Sequence, residues 1–308
     1  MGGLYMNRRS FIKTLVAGGA LWGISKSGIA GSFAKGLTKI TILHTNDTHS
    51  QIEPFPSSHH RFPGMGGFAK RAALVKKIRE EEPNVLLFDS GDIYQGTPYF
   101  NYYKGELEIK LMSDMKYDAA TIGNHEFDNG LDGIERNLQY ASFPFISSNY
   151  DFKDTVLNNK ISPYEIYEVA GIRIGVFGLG IELEGLVAKS GYGKTLYLDP
   201  AEKAAYYARF LKKDMNCDLI ICLSHLGFSY KYDKISDIDI AKQSKNIDII
   251  LGGHTHTTLN KAVVMSNSDR KEIIIGQVGY AGVNLGRMDV YLKKNAGLKF
   301  VEGYALNI

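Results

Sequence analysis

The 308-residue chain is 44% hydrophobic and 22% charged, with 33 Gly, 8 Pro and 2 Cys. Those proportions exclude collagen-like, disordered and disulfide-stapled classes and describe a globular protein. The formal net charge of +3 sits in residues 1–34, which hold Arg8, Arg9, Lys13 and Lys26 and no acid; the remainder has 32 basic against 33 acidic residues, a net of −1, so its charge invites no nucleic-acid polymer.

Asn7-Arg8-Arg9-Ser10-Phe11-Ile12-Lys13 precedes an apolar stretch from Thr14 to Ile24 and then small residues. A charged start, a short apolar run and a small-residue exit are the parts of a signal peptide. The apolar run falls well short of the roughly 20 residues that span a bilayer. The expectation is an exported protein, periplasmic or extracellular, with a leader over 1–34, one domain over 35–308, and no transmembrane anchor once the leader is removed. Ser32-Phe33-Ala34 and Gly28-Ile29-Ala30 both fit a cleavage site, and Met6 fits a start. The Arg-Arg-x-Phe-Ile-Lys run resembles the twin-arginine export signal; an ordinary secretory leader fits the same residues.

Past the leader, strand-like and helix-like segments alternate. Lys39–His44 reads as a strand, which makes His44 a strand residue, and Phe68–Glu82 as a helix with apolar Phe68, Ala72, Val75 and Ile78 at helical period. Asn84–Phe88 is a strand, Tyr99–Met115 one helix, Asp118–Thr121 a strand, Leu131–Tyr140 a helix and Phe145–Ser147 a strand. Tyr164–Val169 and Ile172–Phe177 read as a hairpin turning at Ala170-Gly171. The helix Ala201–Met215 leads to the strand Leu219–Leu223, and a weaker helix at Ile238–Lys245 leads to the strand Ile247–Leu251. From Lys261 on, Ala262–Met265, Glu272–Val278, Leu285–Leu292 and Lys299–Tyr304 read as antiparallel strands. The pattern is a mixed α/β (α+β) fold of one domain with two sheets and outer helices. Ile52–Gly67 is an irregular segment too long for a plain connector and frames a candidate site. Cys217 and Cys222 bracket a strand that holds them beyond disulfide reach.

Five polar clusters each follow a predicted strand: His44-Thr45-Asn46-Asp47-Thr48-His49, Asp89-Ser90-Gly91-Asp92, Gly123-Asn124-His125-Glu126-Phe127-Asp128, Ser224-His225-Leu226-Gly227 and Gly252-Gly253-His254-Thr255-His256. Ligands of open α/β sheets bind beyond the carboxyl ends of strands, so the clusters converge. Of the 8 histidines, His49, His125, His225, His254 and His256 all lie in them. If the chain stays extended, i and i+2 point the same way, which aims Asp47 with His49 and His254 with His256 inward. Imidazole with carboxylate suits Zn, Mn or Fe. Other features go to bland readings: His59-His60 as a solvated pair, Gly64-Met65-Gly66-Gly67 as a helix entry without the Lys of a P-loop, Glu126 as structural, and the run Tyr94, Tyr99, Tyr102 and Tyr103 as packing.

The ordered set Asp-x-His, Gly-Asp, Gly-Asn-His-Glu, a single His and Gly-His-x-His resembles that of calcineurin-like metallophosphatases. Leu-His-Thr-Asn-Asp-x-His at 43–49, Gly-Asn-His-Glu-Phe-Asp at 123–128 and Gly-Gly-His-Thr-His at 252–256 are similar to the catalytic domain of the 5′-nucleotidase family. The resemblance implies a four-layer α-β-β-α sandwich with two mixed β-sheets and a site for two divalent metal ions. Asp47, His49, Asp92 and His256 are then ligands of one, where some members use Gln in place of His256. Asp92, Asn124, His225 and His254 are ligands of the other, with Asp92 bridging. Two such ions clamp a phosphate and acidify a bridging water to a hydroxide that attacks phosphorus in line. His125 is the residue to protonate or hydrogen-bond the leaving alkoxide, with Asp128 fixing its tautomer; Asn124 and His125 are also the substrate-binding candidates. The resemblance implies a phosphomonoesterase acting on a small phosphate ester, nucleotides first. Its alternatives are a phosphodiesterase on 2′,3′-cyclic nucleotides, or a metal-bearing subunit needing a separate nucleotide-binding chain, since the family's C-terminal selectivity domain is not expected in this sequence.

Overall fold

A computed structural model describes residues 37–294 and 297–308, so the leader lies outside the described residues. In chain order the elements are β1 (Thr38–Thr45), α1 (Phe68–Glu81), β2 (Val85–Asp89), α2 (Pro98–Tyr103), α3 (Glu106–Asp114), β3 (Ala119–Thr121), a 3-10 helix (His125–Asn129), α4 (Gly130–Leu138), β4 (Phe145–Ile146), β5 (Tyr150–Asp151), β6 (Tyr164–Val169), β7 (Ile172–Leu179), α5 (Lys189–Tyr192), β8 (Leu196–Tyr197), α6 (Pro200–Lys213), β9 (Leu219–Ser224), α7 (Asp237–Gln243), β10 (Ile249–Gly252), β11 (Val263–Ser266), β12 (Glu272–Gly276), β13 (Asn284–Lys293) and β14 (Gly297–Asn307).

The strands form two six-stranded mixed sheets, ordered β14-β13-β1-β2-β3-β4 and β11-β12-β10-β9-β7-β6, with β5 and β8 as a separate pair. Period-2 alternation sorts each central strand into two buried faces. Ile40 and Ile42 of β1, Leu86 and Phe88 of β2, Ile221 and Leu223 of β9, and Ile249 and Leu251 of β10 meet in one apolar core between the sheets. Leu43, Leu87 and Ala120 face the other way, against Val75 and Ile78 of α1 and Ile109 and Met112 of α3. Ile220, Cys222 and Ile250 face Ala204, Ala208 and Leu211 of α6 and Ile240 of α7. The layers are therefore α-β-β-α.

Local chemistry explains the element ends. Asp199 caps α6 by accepting the backbone N–H of Ala201 at 2.7 Å and of Glu202 at 3.1 Å, with Pro200 in the first turn. Ser236 and Asp239 form a reciprocal capping box on α7. The β6–β7 hairpin turns at Ala170 (φ 50°) and Gly171 (φ 76°), the pair of positive φ angles a two-residue turn needs.

Three expectations change. The single helix over Tyr99–Met115 is two, α2 and α3, because Lys104 (φ 56°) and Gly105 (φ 94°) are left-handed and break the ladder. The C-terminal region is not wholly antiparallel: β12 pairs parallel with β10 and antiparallel with β11, whereas β13 leaves for the first sheet and pairs antiparallel with β1. The tyrosine run divides: Tyr94 is buried, but Tyr102 and Tyr103 are 79% and 43% exposed. Cys217 and Cys222 are free and buried, and His44 lies in β1 as expected.

Candidate metal centre

β1, β2 and β3 of one sheet and β9 and β10 of the other all end at one edge, and the five polar clusters leave from those ends. Asp47, His49 and Asp92 come from the first sheet's loops with Asn124 and His125; His225, His254 and His256 come from the second's.

Donor atoms gather in three overlapping groups, each within 4.8 Å: Asp47 with His49 and His256, His49 with Asp92 and His125, and Asp92 with His225 and His254. Asn124 joins the last, its Oδ1 lying 3.0 Å from His254 Nδ1. Asp92 thus lies between two donor sets. The backbone reason differs from the one expected. The loops are not extended; Asp47 (φ 49°), His49 (φ 47°), Asp92 (φ 56°), His254 (φ 68°) and His256 (φ 52°) all occupy the left-handed region. Alternate residues meet because the chain coils tightly, at a cost of about 1 kcal/mol or more per residue. His254 and His256 accordingly split between the two outer groups.

Hydrogen bonds orient the imidazoles. His225 Nδ1 donates to the Ser90 carbonyl at 2.6 Å and His49 Nδ1 to the Tyr94 carbonyl at 3.2 Å. With Nδ1 of each ring donating to a carbonyl, Nε2 is left facing inward, the second contact that ligating histidines keep. His49 Nε2 lies 3.0 Å from His256 Nε2, and His256 Nε2 lies 3.3 Å from Asp47 Oδ1. Among the described residues the buried His225 Nε2 has no hydrogen-bond donor or acceptor of good geometry, and it sits 3.0 Å from Asp92 Oδ2. Lone pairs and carboxylate oxygens converging on each other fit cations between them.

Electrostatics agree. Burial opposes charge on both Asp92 and His225, but each overrides it in the other, so the carboxyl is held low and the imidazole high. A divalent ion held by this pair would take the place of the proton they share. Burial lowers His49, and burial with the nearby His225 lowers His254 to about 3. Both are neutral, as ligands must be.

His125 Nδ1 is 2.8 Å from Asp128 Oδ2, and its backbone N–H donates to Asp92 Oδ1 at 2.8 Å. Burial pulls its pKa down, yet Asp128 and the charge of Asp92 hold it above the ordinary value. The shift favours the protonated imidazole, the form that can give a proton.

Glu126 is structural, and its role is larger than its neighbours in sequence indicate. Its buried carboxylate accepts the N–H groups of Asp92 (3.0 Å), Ile93 (2.7 Å) and Gly123 (2.6 Å), tying the Asp92 loop to the Asn124 loop. Burial, with Asp92 nearby, raises its pKa. Asn46 does the same across the sheets, donating to Asp47 Oδ2 and the Gly279 carbonyl and accepting the Val278 N–H at 3.0 Å. Tyr280 stacks on His256 with ring centroids 4.9 Å apart and planes 12° apart. No local motif marks it.

A family model described as calcineurin-like phosphoesterase matches residues 40–258. The chain is 33% identical over 279 residues to the snake venom 5′-nucleotidase of Crotalus adamanteus, covering 84% of this chain and 46% of that protein. It is 36% identical over 253 residues to the 5′-nucleotidase of Homo sapiens, covering 79% and 42%. It superposes on the 5′-nucleotidase precursor of Thermus thermophilus with a TM-score of 0.81 at 30% identity, covering 88% of this chain and 55% of that one. The chain thus spans about half the length of these relatives.

Proposed function

This chain belongs to the calcineurin-like phosphoesterase family, and from that premise we propose that it is an exported, dinuclear-metal phosphomonoesterase acting on nucleotides. The observation that carries the reading is the placement of Asp92 between two donor sets, His49 with His125 on one side and His225 with His254 on the other. Asp47, His49, Asp92 and His256 would hold one ion; Asp92, Asn124, His225 and His254 would hold the second. Bound there, a divalent pair supplies Lewis acidity, neutralising phosphate oxygens and acidifying a water.

The chain's own residues do the rest. The Ser90 and Tyr94 carbonyls hold His225 and His49 in the tautomer that turns Nε2 to the site. Glu126 fixes the loops that carry Asp92 and Asn124. His125, protonated and oriented by Asp128, delivers its proton to the departing alkoxide oxygen and is returned to charge from solvent. Nucleotide preference is supported by the names of the relatives, 5′-nucleotidases from a snake and a human. Export rests on the charged, short apolar leader over residues 1–34.

Purified protein supplied with Mn or Zn should release phosphate from a nucleoside 5′-monophosphate. A panel of monoesters and diesters checks it. Release from none of them overturns the phosphohydrolase reading, and release from diesters alone overturns the monoester preference.

A further inference from the structure

The irregular segment 52–67 is a braced structure beside the metal centre. Phe55 N–H donates to the Met65 carbonyl at 2.8 Å, Gly66 N–H to Ile308 at 2.9 Å, and Phe68 N–H to Ile52 at 2.9 Å. Its tip folds around His59, whose Nδ1 accepts the Phe62 N–H at 2.9 Å. The His59 and Phe62 rings are parallel within 5°, and Phe55 lies over His59 at 4.4 Å, so His59 is stacked and not a plain solvated partner of His60. This assembly presents Phe62 edge-on to Tyr280, with centroids 5.6 Å apart and planes at 70°. Tyr280 in turn lies flat on His256. Arg61 covers both rings, its Cζ 4.9 Å from the Phe62 centroid and 5.7 Å from that of Tyr280.

Neither Phe62 nor Tyr280 belongs to any of the three apolar cores, and both are only partly buried. Their aromatic surface is therefore not there to hold the sheets or helices together. The Arg61 side chain is exposed, and its guanidinium rests on rings with no carboxylate against it among the described residues. A planar cation over two aromatic faces, one ring removed from a metal-site histidine, is chemistry for a flat, electron-rich group attached to an anion. An aliphatic alcohol offers nothing to stack.

We propose that Arg61, Phe62 and Tyr280 form a leaving-group subsite that takes the planar base of a nucleotide, so that this domain carries base recognition of its own. The inference deepens the nucleotide reading above and rests on it. The base enters by stacking on the exposed guanidinium of Arg61, which Phe62 and Tyr280 back, while the phosphate lies over the donor cluster. The subsite reads flatness and not base identity, because stacking is tolerant of sequence.

Two measurements on the full, metal-loaded chain test it together. Adenosine, which has the base and no phosphate, is titrated by calorimetry against wild type, Arg61→Ala and Phe62→Ala, with ribose as the control. Adenosine should bind wild type, each variant should bind it about fivefold more weakly or worse, and ribose should not bind. In parallel, kcat/KM for adenosine monophosphate is divided by that for glycerol phosphate. The ratio should fall by about fivefold or more in both variants, with glycerol phosphate turnover and metal content unchanged. Adenosine binding or a ratio unaffected by both substitutions overturns the subsite while leaving phosphatase activity standing. A uniform loss on both esters also overturns it, since it marks a structural role. Adenosine binding that depends on Arg61 in a protein hydrolysing neither ester keeps the subsite and removes the enzymatic reading.

Discussion

His125 and Asp128 sit three residues apart on one short 3-10 helix, 2.8 Å from ring nitrogen to carboxylate. The groups of Asp47, His49 and His256 and of Asp92, His225 and His254 close without either, although His125 also meets His49 and Asp92 in the third. His125→Ala should therefore lower kcat by about 10²-fold or more with metal content intact, and Asp128→Asn by about tenfold. Steady-state kinetics beside metal analysis reads both, and a loss of metal in either variant contradicts the assignment. A second single-residue effect lies behind the site. Asp89 is fully buried, accepting the Thr45 hydroxyl at 2.5 Å and the Gly91 N–H at 2.8 Å, and burial pushes its pKa up to about 7. The folded carboxyl thus keeps a proton that the unfolded chain loses near pH 4, so its contribution falls as pH rises from about 4 to 7. Asp89→Asn removes that cost. Its stability advantage over wild type should widen by about 2–3 kcal/mol between pH 5 and pH 8 in denaturant titrations; an advantage independent of pH contradicts the buried-acid account. Residue-level chemistry is readable from the sequence where a motif is local, as in Gly-Asn-His-Glu-Phe-Asp. Tyr280 is not, because the histidine it stacks on and the loop it meets are brought to it by tertiary structure.

Elements are legible where period and punctuation agree. The β6–β7 hairpin follows from two β-rich runs around Ala170-Gly171, and α6 from Asp-Pro followed by an amphipathic stretch. The break between α2 and α3 is hidden because the apolar period runs through it, and one Gly inside a helical pattern costs too little to signal a stop. Its cause is tertiary: Gly105 packs its bare Cα against the Tyr94 ring and the Asn137 amide, where a Cβ has no room. Gly105→Ala should cost about 2–3 kcal/mol through overlap and a left-handed φ, seen as a lower denaturation midpoint. A loss under about 1 kcal/mol means the helices are free to shift apart. The left-handed Asp and His residues of the metal loops are equally unreadable, since they carry positive φ without glycine to announce it. The parallel pairing of β12 with β10 escapes the sequence for a related reason: strand direction is fixed by distant partners, not by the strand's own residues.

On the scale of the molecule, the donor set is divided between two sheets whose facing sides share one apolar core. Ions held by Asp47 and Asp92 from one sheet and by His225, His254 and His256 from the other would fasten the layers together at one edge. Anything that binds only the folded state stabilises it by mass action. Saturating Mn or Zn should raise Tm by about 5–10 °C over chelated protein, and Asp92→Asn should abolish most of that shift in thermal melts. Equal Tm with and without chelator contradicts a centre shared by the two sheets. The nearly neutral body fits this arrangement, since the attraction for phosphate is then local to the edge and owes nothing to overall charge.

One pairing also sets a timetable for synthesis. β1 holds its place between β2 and β13, with Thr38 opposite Leu292. A chain growing from its N-terminus at roughly 5–20 residues per second makes β1 early and waits on the order of ten seconds or more for the strand that covers its other edge. Through that interval β1 offers a row of unpaired amides and carbonyls to any passing strand. Until β13 has left the ribosome, that edge of β1 has no native partner to pair with.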